Sequence, residues 1–570
     1  MNDKFEKIDR WLAYEKLDKD MRSELARLKE EAGSGSPETR NAALEEINDR
    51  FYRELEFGTG GLRGVLGAGS NRMNVYTVRK ATFGVAEYVN AHYEKPSAAI
   101  SYDSRINSEL FAKTAAEALL SRGVDVYMYD ALMPAPALSF ATRFHDCAVG
   151  IMITASHNPS KYNGYKVYND EGCQVTEGAA DEILQNMLET DIFAEPGEKT
   201  GAKLTYMKDE TKNAFYDAVI SEKMAWAGEE DMKADMAALS AVYTPLNGAG
   251  NIPVREVLGR LGMKDICVVK EQELPDGNFP TCPYPNPEKR EALEKGLELL
   301  RKVKPDLLLA TDPDSDRLGI AVYDGGAEML PTGNETGILL FDFICNMRAA
   351  SGTMPESPVA VRTIVSSKMA DLIAKKHGVA IKTTLTGFKY IGEYIAELER
   401  DGREKDYIFG FEESYGYLSG TYVRDKDAVN AAMLVCQMAA YYKKHGKAVA
   451  DRLKELYEEY GYFLNKLSEF TFEGEKGMRE MDVIMDSFRN SPPAEIAGEK
   501  VTEITDYEDQ PGFPKSNVIE IILESGSSVI ARPSGTEPKL KIYISAKADT
   551  RDIAADKVAA IEKAVDFFIK

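Results

Sequence analysis

From residue 76 onward one pattern of apolar and polar positions recurs: a short β-branched or aliphatic run, a polar or Gly-rich loop, then apolar residues at helical spacing. Such alternation is the sequence form of α/β units on a largely parallel sheet. A first round predicts helices over 78–91, 109–121 and 135–144, with strands over 98–102, 125–129 and 148–153. A second predicts strands over 241–243, 266–269 and 307–310 and helices over 252–261 and 287–301. A third predicts helices over 336–347 and 367–377 and strands over 359–363, 380–383 and 407–410, with one more helix before the last strand. The C-terminal segment differs, with strands over 519–523, 528–531 and 540–545 before a closing helix over 556–569. The predicted fold class is therefore α/β: three similar α/β domains with mixed, largely parallel sheets plus a C-terminal α+β domain. Residues 1–50, rich in Glu, Lys and Arg and broken by the linker-like Gly33-Ser34-Gly35-Ser36-Pro37, read as a solvated helical extension. The domains are expected at 51–205, 206–324, 325–455 and 456–570.

Composition narrows the function classes. With 570 residues, 44% hydrophobic and 29% charged, the chain is a multidomain globular protein. No stretch approaches the ~20 apolar residues of a membrane span, and the start lacks the apolar core of a signal peptide, so the cytoplasm is the expected location. The six cysteines are scattered without a C-x-x-C pair, which points to free thiols. A net charge of −23 argues against nucleic acid and anionic membranes as partners. Phosphate binding in such a protein needs Arg, Lys and backbone N–H groups concentrated locally.

Four loops, each after a strand or between strands, carry residue types suited to chemistry. In Thr154-Ala155-Ser156-His157-Asn158-Pro159 the serine opens a polar turn where backbone N–H groups can hold an oxyanion or a phosphate. A serine hydrolase would show G-x-S-x-G, which is absent, and the other histidines (His92, His145, His377, His445) fall in predicted helices or at their ends; a plain turn is the alternative. In Thr311-Asp312-Pro313-Asp314-Ser315-Asp316-Arg317, three carboxylates at alternate positions repel one another unless a cation sits among them. Hard oxygen ligands suit Mg²⁺, and a solvated acidic turn is the bland alternative. Gly410-Phe411-Glu412-Glu413-Ser414-Tyr415-Gly416 displays acceptors and a hydroxyl suited to sugar hydroxyls, or is a surface turn. Arg532-Pro533-Ser534-Gly535-Thr536-Glu537-Pro538-Lys539 combines charge, hydroxyls and close backbone approach, as a phosphate cradle or a hairpin turn would.

In this order and spacing, from about residue 50 to the C-terminus, the four loops resemble the α-D-phosphohexomutase superfamily, specifically its phosphoglucomutase branch, which includes members acting on phosphopentoses. The resemblance implies four domains in a heart shape around a central cleft. It implies that Ser156 is carried as a phosphoserine, with Asp312, Asp314 and Asp316 binding Mg²⁺ together with that group. Glu412 and Ser414 match the sugar-hydroxyl contacts; Arg532, Ser534, Gly535 and Thr536 match the site of the phosphate that is not transferred. Arg63 and Lys166 match active-site basic residues, His157 and Arg317 flank the reaction centre, and Lys389 lies on a third-domain loop near the sugar phosphate. Several family members carry a histidine shortly after the Glu-x-Ser, where this chain has Tyr415-Gly416-Tyr417.

The implied activity is intramolecular phosphotransfer between glucose 1-phosphate and glucose 6-phosphate, through a bound glucose 1,6-bisphosphate that also serves as activator. Lys166 or His157 would act as general base. Phosphopentomutase or phosphomannomutase activity is the alternative on the same scaffold; a metal-dependent sugar phosphatase and a non-catalytic sugar-phosphate sensor are readings from other classes. The partners are small sugar phosphates, and the expected state is a monomer, with a dimer as the alternative.

Overall fold

In the computed structural model, which describes residues 2–55, 57, 60–198, 200–472, 474–534 and 539–569, the strands sort into four sheets. The first runs Gly61–Val65, Tyr162–Asn169, Val149–Ile153, Ser97–Tyr102, Asp125–Tyr129, Leu204–Met207. Its last four strands are parallel and its first two join antiparallel. The second sheet (Ala327–Met329, Leu318–Asp324, Leu307–Thr311, Ser240–Thr244, Asp265–Val268) and the third (Ala380–Thr384, Val359–Thr363, Tyr407–Glu412, Gly416–Leu418) likewise combine a run of parallel strands with antiparallel pairing at one end. The fourth sheet is antiparallel and carries the helices Gly474–Asn490 and Arg551–Ile569.

Two antiparallel strands of the first sheet were not expected from the sequence. Tyr162–Asn169 contains Asn163 and Gly164 and reads as loop, and Gly61–Val65 lies in a Gly-rich stretch. Their pairing aligns Arg63 with Gly164 and Lys166 with both Gly61 and Met152, which brings the two basic residues beside the Ser156 turn. The helix Ala428–Lys444 is missing from the periodicity for another reason. Nearly all of its residues are buried, so it has no polar face to set off an apolar stripe.

The first fifty residues are helical, Asn2–Ala13, Lys19–Ser34 and Pro37–Phe51, but they are not a solvated arm. Ile8, Trp11, Leu25, Leu28, Ile47 and Phe51 form an apolar seam with Tyr76 and Ile192 of the first domain. The buried Arg50 adds ion pairs to Glu24 and Glu46, both at 2.7 Å, and a 2.9 Å hydrogen bond to the Ala68 carbonyl. The density of charge on the outer faces hides this seam in the sequence. Trp11, 3% exposed and edge-on to Phe51, Tyr76 and Phe193, is its centre. Trp11→Ala is expected to lower unfolding free energy by about 3 to 5 kcal/mol in urea denaturation; a loss under ~1 kcal/mol, ordinary for a surface site, would mean the helices are loosely attached.

The first three domains share one continuous core, to which Tyr129, Met152, Tyr243, Phe341, Phe409 and Met433 all belong. The fourth has a core of its own and meets the third through a smaller apolar patch, Ile364, Val365 and Leu385 against Tyr507, Val518, Ile530 and Tyr543. The Ser156 turn and the aspartate loop are thus mounted on one body.

Candidate active site

Ser156 stands just beyond the strand Val149–Ile153 with a left-handed backbone, φ 50°. Thr154 shapes that turn: its hydroxyl accepts the Ser156 N–H at 2.8 Å and donates to Asp103 Oδ2 at 2.7 Å. The Ser156 hydroxyl in turn donates to Asp312 Oδ2 at 2.9 Å and lies 3.2 Å from His157 Nδ1. The serine expected in the first domain and the first aspartate of the second are therefore in direct contact.

The aspartate loop leaves the fully buried strand Leu307–Thr311 and returns as Leu318–Asp324. Asp312 reverses the chain itself, its Oδ1 accepting the N–H groups of Asp316 and Arg317, both at 3.1 Å. Neighbours hold the rest of the loop: Ala135 N–H donates to the Asp314 carbonyl at 2.9 Å, Ala249 N–H to that of Pro313 at 2.8 Å, Ala428 N–H to that of Ser315 at 3.2 Å. Gly248 is needed for this approach, since a Cβ there would stand 2.7 Å from the Pro313 carbonyl oxygen. One ligand oxygen from each of Asp312, Asp314 and Asp316 falls within 4.8 Å of the others, and all three residues are buried. Among the described residues, Asp314 Oδ1 and Asp316 Oδ1 have no hydrogen-bond donor. Buried carboxylate oxygens without donors are costly in a protein and natural in a site for a hard cation, so the residues present fit Mg²⁺.

Cations ring this acidic centre. Lys166 Nζ lies 3.0 Å from Asp314 Oδ2 and 3.8 Å from Asp316 Oδ2, and Lys426 Nζ lies 2.9 Å from Asp316 Oδ2. Lys426 also pairs with Asp425 at 3.2 Å, whose other oxygen accepts from Tyr168 at 2.7 Å. Arg317 pairs with Glu288 and stands 3.9 Å from Asp316. Burial raises the Asp312 carboxyl well above the usual range, and Asp316 and Asp314 reinforce it. Burial works against Asp314 too, but the Lys166 ammonium prevails and draws it down to about 2. Burial pushes the His157 imidazole well below its usual value, and Arg317, Arg63, Arg105 and Lys166 push the same way. His157 is thus neutral until an anion offsets those cations.

The other expected residues surround this centre. Glu412, buried at the end of the strand Tyr407–Glu412, accepts the Gly387 N–H at 2.8 Å, which ties the Glu-x-Ser turn to the Thr-Gly-Phe-Lys segment. Ser414 is half-buried in that turn. Lys389 belongs to the first turn of the helix Phe388–Arg400 instead of a loop, with its Nζ 4.8 Å from the centre of the Tyr390 ring. In the fourth domain Arg532 lies on the strand Ser528–Pro533, and the Ser534 N–H closes a hairpin onto Lys539 at 2.8 Å. Burial and Glu412 push Glu413 up to about 7 while Arg532 pulls it down, so Arg532 is within electrostatic reach of this carboxylate pair. Gly535 and Thr536 lie outside the described residues.

Four family models cover the chain: "Phosphoglucomutase/phosphomannomutase, alpha/beta/alpha domain I" over 54–192, domain II over 214–325, domain III over 332–460 and the C-terminal domain over 483–563. A phosphoglucomutase of Staphylococcus aureus (strain bovine RF122 / ET3-1) is 37% identical over 537 residues, 90% of this chain and 94% of that one. The chain belongs to the phosphoglucomutase/phosphomannomutase family. A phosphoglucomutase of Staphylococcus haemolyticus is 36% identical over 518 residues, covering 88% of this chain and 91% of its own. Two crystal structures share the fold. One is a phosphoglucomutase/phosphomannomutase family protein of Burkholderia thailandensis (TM-score 0.68, 16% identity, 90% of this chain and 97% of that one). The other is the open form of parafusin from Paramecium (TM-score 0.68, 17% identity, 91% and 95%).

Membership in the phosphoglucomutase/phosphomannomutase family carries the reaction class of a phosphosugar mutase. Against that class, sequence reasoning missed Lys426, Glu288 and Arg105. Lys426 sits in Val423-Arg424-Asp425-Lys426-Asp427, a run of alternating charge that reads as a solvated turn, yet Lys426 is well buried and Arg424 fully so. Asp427 caps the buried helix Ala428–Lys444, and an N-cap aspartate before a long apolar segment was the available signal.

Proposed function

We propose that the protein interconverts glucose 1-phosphate and glucose 6-phosphate. Phosphorylated Ser156 gives its phosphoryl group to the free hydroxyl of either sugar phosphate: the bond from phosphorus to Ser156 Oγ breaks and one to the sugar oxygen forms. The resulting glucose 1,6-bisphosphate turns end for end and returns its other phosphate to Ser156. The observation that supports this reading best is the 2.9 Å contact of Ser156 Oγ with Asp312, beside two carboxylate oxygens without donors among the described residues and among cations from three domains, Lys166, Arg317 and Lys426.

Asp312, Asp314 and Asp316, with an oxygen on Ser156, would hold Mg²⁺, which when bound neutralises charge on the transferring group. Transfer of this kind demands placement and charge compensation more than covalent activation. His157 and Lys166 are the groups for proton transfer, and His157 Nδ1 lies 3.2 Å from Ser156 Oγ. Arg63 and Arg317 add positive charge to the phosphoryl site. Glu412 and Ser414 would hold the sugar hydroxyls, Lys389 the sugar phosphate, and Arg532, Ser534, Gly535 and Thr536 the phosphate that stays. Glucose is preferred over mannose and pentoses because the curated relatives cited above are phosphoglucomutases. Among the described residues no helix is long and apolar enough to cross a membrane.

A coupled assay with Mg²⁺ and trace glucose 1,6-bisphosphate, run on glucose 1-phosphate, mannose 1-phosphate and ribose 1-phosphate side by side, tests the proposal. The glucose ester is expected to turn over fastest. Release of inorganic phosphate without isomerisation would replace the mutase with a phosphatase.

A further inference from the structure

We propose that Arg105 is the positioning residue for Ser156, clamping the serine turn by its carbonyl oxygens, and that Phe279 of the second domain keeps the clamp closed. The proposal rests on the mutase reading, because it concerns where the phosphoryl-accepting oxygen is held.

Arg105 is 3% exposed, and its hydrogen bonds run to main-chain carbonyls of the serine turn. Its guanidinium has five N–H donors in a rigid fork. Nη2 reaches the Ser156 carbonyl at 2.5 Å and also that of Asn158; Nη1 reaches the carbonyls of Pro159 and Tyr162, both at 3.1 Å. Nε points to the Ser156 carbonyl at 3.2 Å and lies 3.4 Å from Asp103 Oδ2. The same Asp103 oxygen accepts from Thr154, whose hydroxyl holds the Ser156 N–H. The N–H and the C=O of Ser156 are therefore both fixed from one ion pair. This matters because a non-glycine residue in the left-handed region, φ 50° here, is strained and would relax if released.

The cover comes from another domain. The Phe279 ring, fully buried, faces the guanidinium with Arg105 Cζ 5.1 Å from its centre. Gly277 lets this loop close on the Arg105 backbone, since a Cβ there would stand 2.8 Å from the Arg105 carbonyl carbon. The same segment runs on to Tyr284, edge-on to His157 at 5.8 Å, and to Glu288, which pairs with Arg317. The second domain thus supplies the aspartate loop facing Ser156 Oγ and also the lid over the group that aims it.

A lysine at 105 keeps the charge but loses the fork. Arg105→Lys is expected to lower kcat for glucose 1-phosphate by about 100-fold, the scale of a misplacement near 1 Å, with KM changed less than about threefold. A Mg²⁺-induced rise in melting temperature is expected to persist, because the three aspartates are untouched. Phe279→Leu, which leaves the fork intact but uncovered, is expected to lower kcat by about tenfold with KM likewise unchanged. A kcat within threefold of native in Arg105→Lys, or a loss carried by KM, overturns the proposal. Should Arg105→Lys fail to fold, native kcat in Phe279→Leu overturns it instead. If native protein does not interconvert the glucose phosphates, the mutase reading fails separately. The rate at which glucose 1,6-bisphosphate phosphorylates Ser156, compared between native and Arg105→Lys by intact mass, then decides the positioning role.

Discussion

Ser156→Ala is expected to lower kcat/KM for glucose 1-phosphate by at least about 10⁴-fold, as removal of a covalent nucleophile does. The fold should survive. The turn is held by main-chain contacts from Arg105 and Thr154, none of which uses the serine hydroxyl. Alanine meets the same left-handed backbone at φ 50° at a cost similar to that of serine. What disappears is the oxygen 2.9 Å from Asp312, and with it the atom that carries the phosphoryl group. Intact-mass analysis after incubation with glucose 1,6-bisphosphate should show native protein heavier by one phosphoryl group and the variant unshifted. An active variant, or one that still gains the mass, would assign the carrier to another residue.

Why this serine could be singled out in the sequence, while Arg105 could not, follows from how far each residue's partners lie along the chain. Ser156 is marked by its own turn, and the three aspartates by spacing within one loop, so local chemistry made both candidates and the resemblance of the four loops to a known family supplied their expected roles. The parallel strands that deliver them are short apolar runs between turn residues and were legible for the same reason. Arg105 is defined by carbonyls some fifty residues away and by a ring from another domain, and Asp103-Ser104-Arg105 reads as a solvated turn. Lys426 likewise takes its meaning from Asp316, in a different domain. The strand Tyr162–Asn169 was hidden because antiparallel pairing, here with a neighbour on each side, tolerates the Asn-Gly and Lys that a parallel core strand would not. The N-terminal helices were misread because charge on their outer faces outweighs the buried seam in composition, although not in packing.

The aspartate loop yields a second large effect, and one whose sign in stability is opposite to its sign in activity. Asp312→Asn is expected to lower kcat by at least about 10³-fold, the several kcal/mol that a lost metal ligand takes from charge stabilisation. Metal-free protein, however, should melt no lower than native. An asparagine Oδ1 can still accept the Asp316 and Arg317 N–H groups that make the turn. Its amide can face Ser156 Oγ in place of the carboxylate oxygen. The charge removed is one that burial, Asp316 and Asp314 all oppose. Native protein should instead gain stability from the cation: by mass action, about 2.7 kcal/mol at a hundred times the dissociation constant. The check is calorimetric melting of both proteins in EDTA and in saturating Mg²⁺. Native protein should rise in melting temperature and the variant should not. An equal rise in both, or native activity that survives EDTA, would remove Asp312, Asp314 and Asp316 from the role of metal ligands.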